Sequence, residues 1–324
     1  MLDVVDLDVR LSRRGESVHA VRGVNFQVAE GETLGVVGES GSGKTVSVMA
    51  IMRLLDPKIT RTAGQVVFDG RDLLKLSETE MRAVRGKEIG MIFQDPMTAL
   101  NPVLSVERQL TESLEIHERV TRRQARTRAI DALELVGIPD PAGRVRDYPH
   151  QFSGGMRQRV LIAMAIACRP KLLIADEATT ALDVTIQAQI VELVAQLRQE
   201  LGMAVIWISH DLGVVAGSCA RAQVMYGGRI VETGTVNEIF TDPVHPYTTG
   251  LLGSIPRLDR AAGTPLQPIP GQPPDLRIDV EGCAFAERCT SAVSKCKTTT
   301  PVLEAVSSSH RKSCWVHTGS GVVA

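Results

Sequence analysis

One stretch restricts this chain more than any other: GESGSGKT, Gly38 to Thr45. It follows a short apolar run, Thr33 to Val37 (TLGVV), that reads as a buried strand, and it precedes TVSVMAIMRLL, an apolar segment of helix length. A strand, a glycine-rich turn and a helix in that order curl successive backbone N–H groups around a phosphate. The positive end of the helix attracts the same charge. Gly38, Glu39, Ser40, Gly41, Ser42 and Gly43 then form the cradle, Lys44 reaches the β- and γ-phosphates, and the Thr45 hydroxyl is a ligand for Mg²⁺. Binding of a nucleoside triphosphate is the expectation.

Around this stretch the chain changes character twice. Up to residue 37, apolar and polar side chains alternate (Val4, Leu7, Val9; Val21, Val24, Phe26, Val28), which suits half-buried antiparallel strands. Gln65 to Asp69, closed by Gly70, looks like another strand of that kind. Helical signals follow: Thr121 opens a capping box with Gln124, and Ala129, Ile130, Leu133 and Val136 share one face up to Gly137. Ser153 is a good N-cap for the helix Met156 to Cys168, which Pro170 stops. KLLIADE (171–177) and MAVIWIS (203–209) read as buried strands, with a helix between them carrying Ile186, Ile190, Leu193, Val194 and Leu197 on one face. RAQVMYGGRIVET reads as a hairpin turning at Gly227-Gly228.

Strands separated by helices predict an α/β fold with a mostly parallel sheet and ligands at its carboxyl edge. Beside it we expect an antiparallel β subdomain and a helical subdomain over about 95–165. After Phe240 the chain becomes rich in proline (Pro243, Pro246, Pro256, Pro265, Pro268, Pro270, Pro273, Pro274), and four of the six cysteines fall near its end. A boundary is drawn there, giving domains 1–240 and 241–324.

A net charge of −1 offers no broad attraction for nucleic acid. Arg122, Arg123, Arg126 and Arg128 have no interleaved aromatics and read as a solvated helix face. The longest apolar run, Val160 to Ala167, is far short of the roughly 20 residues that cross a bilayer. The N-terminus, with Asp3, Asp6 and Asp8, does not look like a signal peptide. A cytosolic chain is expected, reaching a membrane only through partners.

Hydrolysis needs more than a cradle. Asp176, at the end of the KLLIAD run, is placed for Mg²⁺, and Glu177 for the attacking water. The plainer reading of such a pair is an N-cap of the next helix.

Gln94, FSGGMRQR (152–159), LLIADE (172–177), ALD (181–183) and His210 occur in one chain order that resembles the nucleotide-binding subunits of ABC transporters, which have the P-loop NTPase fold. The resemblance implies that two such domains meet head to tail around ATP, with Ser153, Gly154 and Gly155 acting on the partner's nucleotide. It also implies that Gln94 touches the Mg²⁺ or water site, His210 contacts the γ-phosphate and Asp183 lies at the dimer seam. Met156 stands where the family usually has glutamine or, in this branch, often methionine, and Ala178 replaces a common proline. The aromatic that stacks on adenine has no clear counterpart; Leu11, Arg14 and His19 are the nearby candidates.

PVHPYTTGLLGSIPRL (243–258), IPGQPP (269–274) and GCAFAERC (282–289) look like the C-terminal extension of dipeptide and oligopeptide importer ATPases. That resemblance implies a second related ATPase in a heterodimer, two membrane permeases and an extracytoplasmic peptide-binding protein. DPMTALNP (95–102) would lie where the permeases dock. Similar systems handle nickel or glutathione, and a soluble ABC ATPase is the more distant alternative.

Cys283, Cys289, Cys296 and Cys314 are separated by 5, 6 and 17 residues, unlike the short gaps of zinc knuckles. Four thiolates on a loop suit a [4Fe-4S] cluster, which the resemblance also implies. Zinc and free thiols or disulfides are the alternatives. Cys168 and Cys219 lie in apolar segments and are expected in the core.

Overall fold

The computed structural model describes residues 1–13, 15–180, 182–254 and 268–316. Arg14, Ala181, Pro256 and Pro265, singled out above, lie outside them. In chain order the strands are β1 (Leu2–Arg13), β2 (Glu16–Val28), β3 (Thr33–Val37), β4 (Thr60–Phe68), β5 (Arg71–Asp72), β6 (Ile89–Ile92), β7 (Leu172–Asp176), β8 (Ala204–Ser209), β9 (Arg221–Tyr226), β10 (Arg229–Thr235), β11 (Glu304–Ala305) and β12 (Arg311–Lys312). The chain divides into two compact units. One comprises residues 1, 28–33 and 75–209, and the other 2–27, 34–74 and 210–324.

In the first unit β6, β7 and β8 run parallel, with Ile89 beside Leu172 and Leu172 beside Ala204. Every residue of β7 and β8 is buried, which is why both read as unbroken apolar runs. The helices Val106–Glu118, Arg122–Leu135, Gly154–Ile166 and Val184–Leu201 each begin on a side-chain cap. Ser105 accepts from the amide of Arg108, Thr121 from Gln124, Ser153 from Met156 and Asp183 from Ile186. Each such cap contributes about 1 kcal/mol. Leu110, Leu114, Ala125 and Leu133 are fully buried, and burying one such leucine contributes about 2 kcal/mol. The opposite face carries the expected arginines: Arg122, Arg123 and Arg128 are exposed, Arg128 pairs with Glu118, and Arg126 approaches Glu107 at 3.7 Å. Among the described residues no helix is long and apolar enough to cross a membrane.

In the second unit the strand order of one sheet is β2-β1-β4-β5, with Leu2 opposite Phe68 and Leu11 opposite Thr60. The alternation holds in β2, where Val24 and Phe26 are buried and Gly23, Asn25 and Gln27 are exposed. In the other sheet β3 runs parallel to β9, and β9 turns at Gly227-Gly228 into the antiparallel β10.

The C-terminal region belongs to this second unit, and its described residues include regular elements. It forms the helices Pro246–Gly253 and Ser294–Thr298, and its β11–β12 hairpin joins the sheet, with Lys312 opposite Glu232 of β10. Phe285 packs edge-on against Tyr226, ring centroids 5.2 Å apart, and Tyr226 lies 4.5 Å from Tyr247. Each aromatic pair contributes about 1 kcal/mol beyond its buried area. Glu232 is wholly buried and satisfied: it accepts from the amides of Val244 and His245, both at 2.9 Å, and lies 2.7 Å from His310 Nε2. A buried carboxylate is tolerated because charge-assisted bonds replace its lost water. Cys168 is buried as expected, whereas Cys219 is half-buried at the end of the helix Leu212–Ser218.

Candidate functional site

In the second unit the GESGSGKT stretch links β3 to the helix Lys44–Ile51. The turn needs glycine for space. A Cβ on Gly38 would sit 2.2 Å from the Met225 carbonyl oxygen, and one on Gly43 would sit 2.4 Å from that of Ala20 at φ 103°. Lys44 is 4% exposed and its ammonium is turned onto the loop itself. It donates to the carbonyl oxygens of Gly38 at 2.8 Å and Glu39 at 3.0 Å, with Ser42 Oγ at 3.5 Å. A lysine at a glycine turn that opens onto a helix N-terminus is the chemistry that a phosphate chain requires, and the ammonium can exchange these carbonyls for phosphate oxygens, so the loop fits a triphosphate. Ser40 and Gly41 lie exposed at its tip, and Thr45 is half-buried one residue into the helix.

Sequence reasoning missed two residues here. Tyr247 Oη accepts from the Glu39 amide at 2.8 Å, and Arg288 takes both Glu39 carboxylate oxygens at 2.6 and 3.0 Å. They lie 208 and 249 positions downstream of Glu39, beyond the reach of any local spacing rule.

In the first unit Asp176 ends β7 and is 4% exposed. Glu177 follows with φ 48°, left-handed, and its amide donates to the Ile208 carbonyl at 2.9 Å. Holding a non-glycine residue there costs about 1–2 kcal/mol, and such strain gathers where a side chain must be aimed. The Glu177 carboxylate accepts from Gln94 Nε2 at 2.8 Å and from the Thr180 hydroxyl at 3.1 Å. The structure thus brings together Gln94 and Glu177, which are 83 positions apart. The simple N-cap role goes elsewhere, because it is Asp183 that caps the next helix.

Ser153 caps its helix as expected, and a Cβ on Gly155 would meet Ile186 at 2.9 Å, while nothing lies within 4 Å of one on Gly154. Gly154 and Gly155 thus open a helix whose first turn carries no acidic residue, a composition suited to an anion. His210 is exposed immediately after β8 in the chain.

His19, one of the candidates for stacking on adenine, is 9% exposed, with Nε2 2.7 Å from Asp8 and Nδ1 3.0 Å from Asp279, so both ring nitrogens are engaged. Leu11 is half-buried. The four C-terminal cysteines do feel one another. Cys283 is pushed up to about 11 by burial first and then by the charges of Cys296, Cys314 and Cys289, and Cys289 and Cys314 are also raised by burial. Yet among the described residues no group of three His, Cys, Asp or Glu side chains could hold a metal ion. As placed, Cys283, Cys289, Cys296 and Cys314 do not fit the expected [4Fe-4S] cluster or its zinc alternative.

Comparison with known proteins agrees with the phosphate loop. The ABC transporter family model matches residues 21–180, and that of the oligopeptide/dipeptide transporter C-terminal region matches residues 231–296. The chain is 52% identical over 316 residues to the probable peptide ABC transporter ATP-binding protein y4tR of Sinorhizobium fredii, covering 97% of this chain and 94% of that one. It is 54% identical over 317 residues to the oligopeptide transport ATP-binding protein OppD of Bacillus subtilis, covering 98% and 88%. A solved dimeric ATP-binding cassette, in a post-hydrolysis state with ADP and Pi, matches with a TM-score of 0.65 at 28% identity, covering 73% of this chain and 99% of its own. The chain therefore belongs to the ATP-binding proteins of ABC transporters, ATPases with the P-loop cassette fold, in the branch that carries the oligopeptide/dipeptide transporter C-terminal region.

Proposed function

We propose that this chain is the ATP-hydrolysing subunit of a membrane importer of dipeptides or oligopeptides, seated peripherally at the cytoplasmic face on two permease subunits. The observation that carries the reading is the glycine cradle with Lys44 buried in it, its ammonium 2.8 Å from the Gly38 carbonyl. The roles named for the two relatives, peptide and oligopeptide transport, support the substrate class over nickel or glutathione.

In this reading a second related ATPase completes a heterodimer, and a peptide-binding protein outside the membrane delivers cargo. Lys44 and the Gly38–Gly43 amides would hold the phosphates, and Thr45 and Asp176 would hold Mg²⁺, which would supply positive charge to offset that of the phosphate oxygens. Glu177 accepts the proton of the attacking water, Gln94 orients that carboxylate, and His210 faces the γ-phosphate. Ser153, Gly154 and Gly155 present a helix N-terminus to the partner's nucleotide. Phe93 and Val103, which flank the helix Pro96–Ala99 in the chain, are 42% and 75% exposed, and in this reading that segment is where the permeases dock. The test is reconstitution with the companion ATPase and permeases in vesicles. ATP-driven uptake of short peptides is the expected result, and ATP consumption without peptide uptake overturns the substrate assignment.

A further inference from the structure

Glu39 is an awkward residue for a phosphate loop, because it places a carboxylate where a highly anionic ligand is to bind. Like charges held close together in a partly desolvated site repel strongly. The C-terminal region answers this. Arg288 is 5% exposed at its side chain and forms a two-pronged ion pair with Glu39, Nη1–Oε2 2.6 Å and Nη2–Oε1 3.0 Å. A planar guanidinium matches a carboxylate in a way that a lysine ammonium cannot.

The guanidinium is itself fixed. Its remaining N–H groups donate to the Pro270 carbonyl at 2.8 Å, the Ile269 carbonyl at 3.3 Å and the Tyr226 hydroxyl at 3.2 Å. With the two bonds to Glu39 all five guanidinium donors are used. Its carbon lies 5.7 Å from the Tyr226 ring and 5.9 Å from that of Phe285. The same loop residue is gripped a second time, through the Glu39 amide to Tyr247 Oη. The Glu39 carbonyl in turn accepts from Lys44. A continuous chain of contacts thus runs from the C-terminal region through Glu39 to the lysine of the cradle.

We propose that Arg288 is a positioning residue for the nucleotide site: it neutralises and holds the Glu39 carboxylate, so that the phosphate loop accepts a triphosphate only while the C-terminal region is docked behind it. This rests on the assignment of Gly38–Thr45 as the triphosphate site.

The test is titration calorimetry on the purified full-length chain with Mg²⁺ and three probes of falling charge: a non-hydrolysable ATP analogue, ADP and AMP. Arg288→Met exposes the Glu39 charge, so the Kd for the ATP analogue rises about tenfold, with smaller losses for ADP and AMP. Removing that charge as well, in Arg288→Met with Glu39→Gln, returns the Kd to within about threefold of the parent. Arg288→Lys falls between, because it keeps the charge and loses the fork. Thermal melts of each variant separate this pattern from loss of fold: a merely structural arginine weakens all three probes alike and is not rescued by Glu39→Gln. That outcome, or an Arg288→Met chain that binds the ATP analogue like the parent, overturns the proposal. Lys44→Ala run alongside reports on the underlying assignment. If it too binds like the parent, the loop is not the site; if it loses binding while the Arg288 variants do not, only the role of Arg288 fails.

Discussion

Gln94 Nε2 donates to Glu177 Oε2 at 2.8 Å, and Glu177 is the residue just after β7 whose backbone is held left-handed at φ 48°. The side-chain amide can orient the carboxylate without protonating it. A group that is aimed in this way, on a strained backbone at the carboxyl end of a parallel strand, is arranged for chemistry more than for packing.

Glu177→Gln preserves the shape of this contact and removes the base. Nucleotide binding is expected to stay within about twofold of the parent, while ATP turnover falls by about 10²- to 10⁴-fold. Binding by calorimetry beside a steady-state phosphate-release assay checks both halves, and turnover that survives removes Glu177 from the role.

Gly38→Ala places a methyl group 2.2 Å from the Met225 carbonyl oxygen, and both groups are main-chain or rigidly attached to it. The loop or β9 must shift, at an expected cost of about 2 kcal/mol or more. Chemical denaturation measures that loss, and the same variant is expected to lose nucleotide affinity. A chain of parental stability that still binds nucleotide contradicts the tight packing of the turn.

His310 reports on the docking of the C-terminal hairpin. Its pKa is raised above 6.5, first by the bond to Glu232 and then, against burial, by the charges of Glu232, Glu238 and Asp242. A folded-state pKa above the unfolded one means that the stabilisation is fully present below pH 6.5 and is lost as pH rises through the folded value. Melting temperature is therefore expected to fall over that rise, and to fall less in His310→Gln. Equal pH profiles for the two chains exclude the coupling.

Much of this was legible in the sequence wherever the cause is local. The strand–turn–helix around Lys44, the Thr121–Gln124 capping box, the buried runs of β7 and β8 and the Gly227-Gly228 hairpin each depend on residues a few positions apart. Pairing of β12 with β10, the clamp of Arg288 on Glu39 and the engagement of His19 by Asp279 join residues 78 to 260 positions apart. One side chain at each end carries no periodicity, so no pattern announces them. The cysteines err the other way, because their spacing on a loop and the family resemblance suggested a metal site that, among the described residues, the placed side chains do not assemble.

The most direct measurement is a structure of this chain with Mg²⁺ and a non-hydrolysable ATP analogue. The expected result is a phosphate chain within the Gly38–Thr45 turn and a Lys44 ammonium that has left the Gly38 and Glu39 carbonyls for phosphate oxygens. A nucleotide bound elsewhere, with Lys44 still on those carbonyls, contradicts it.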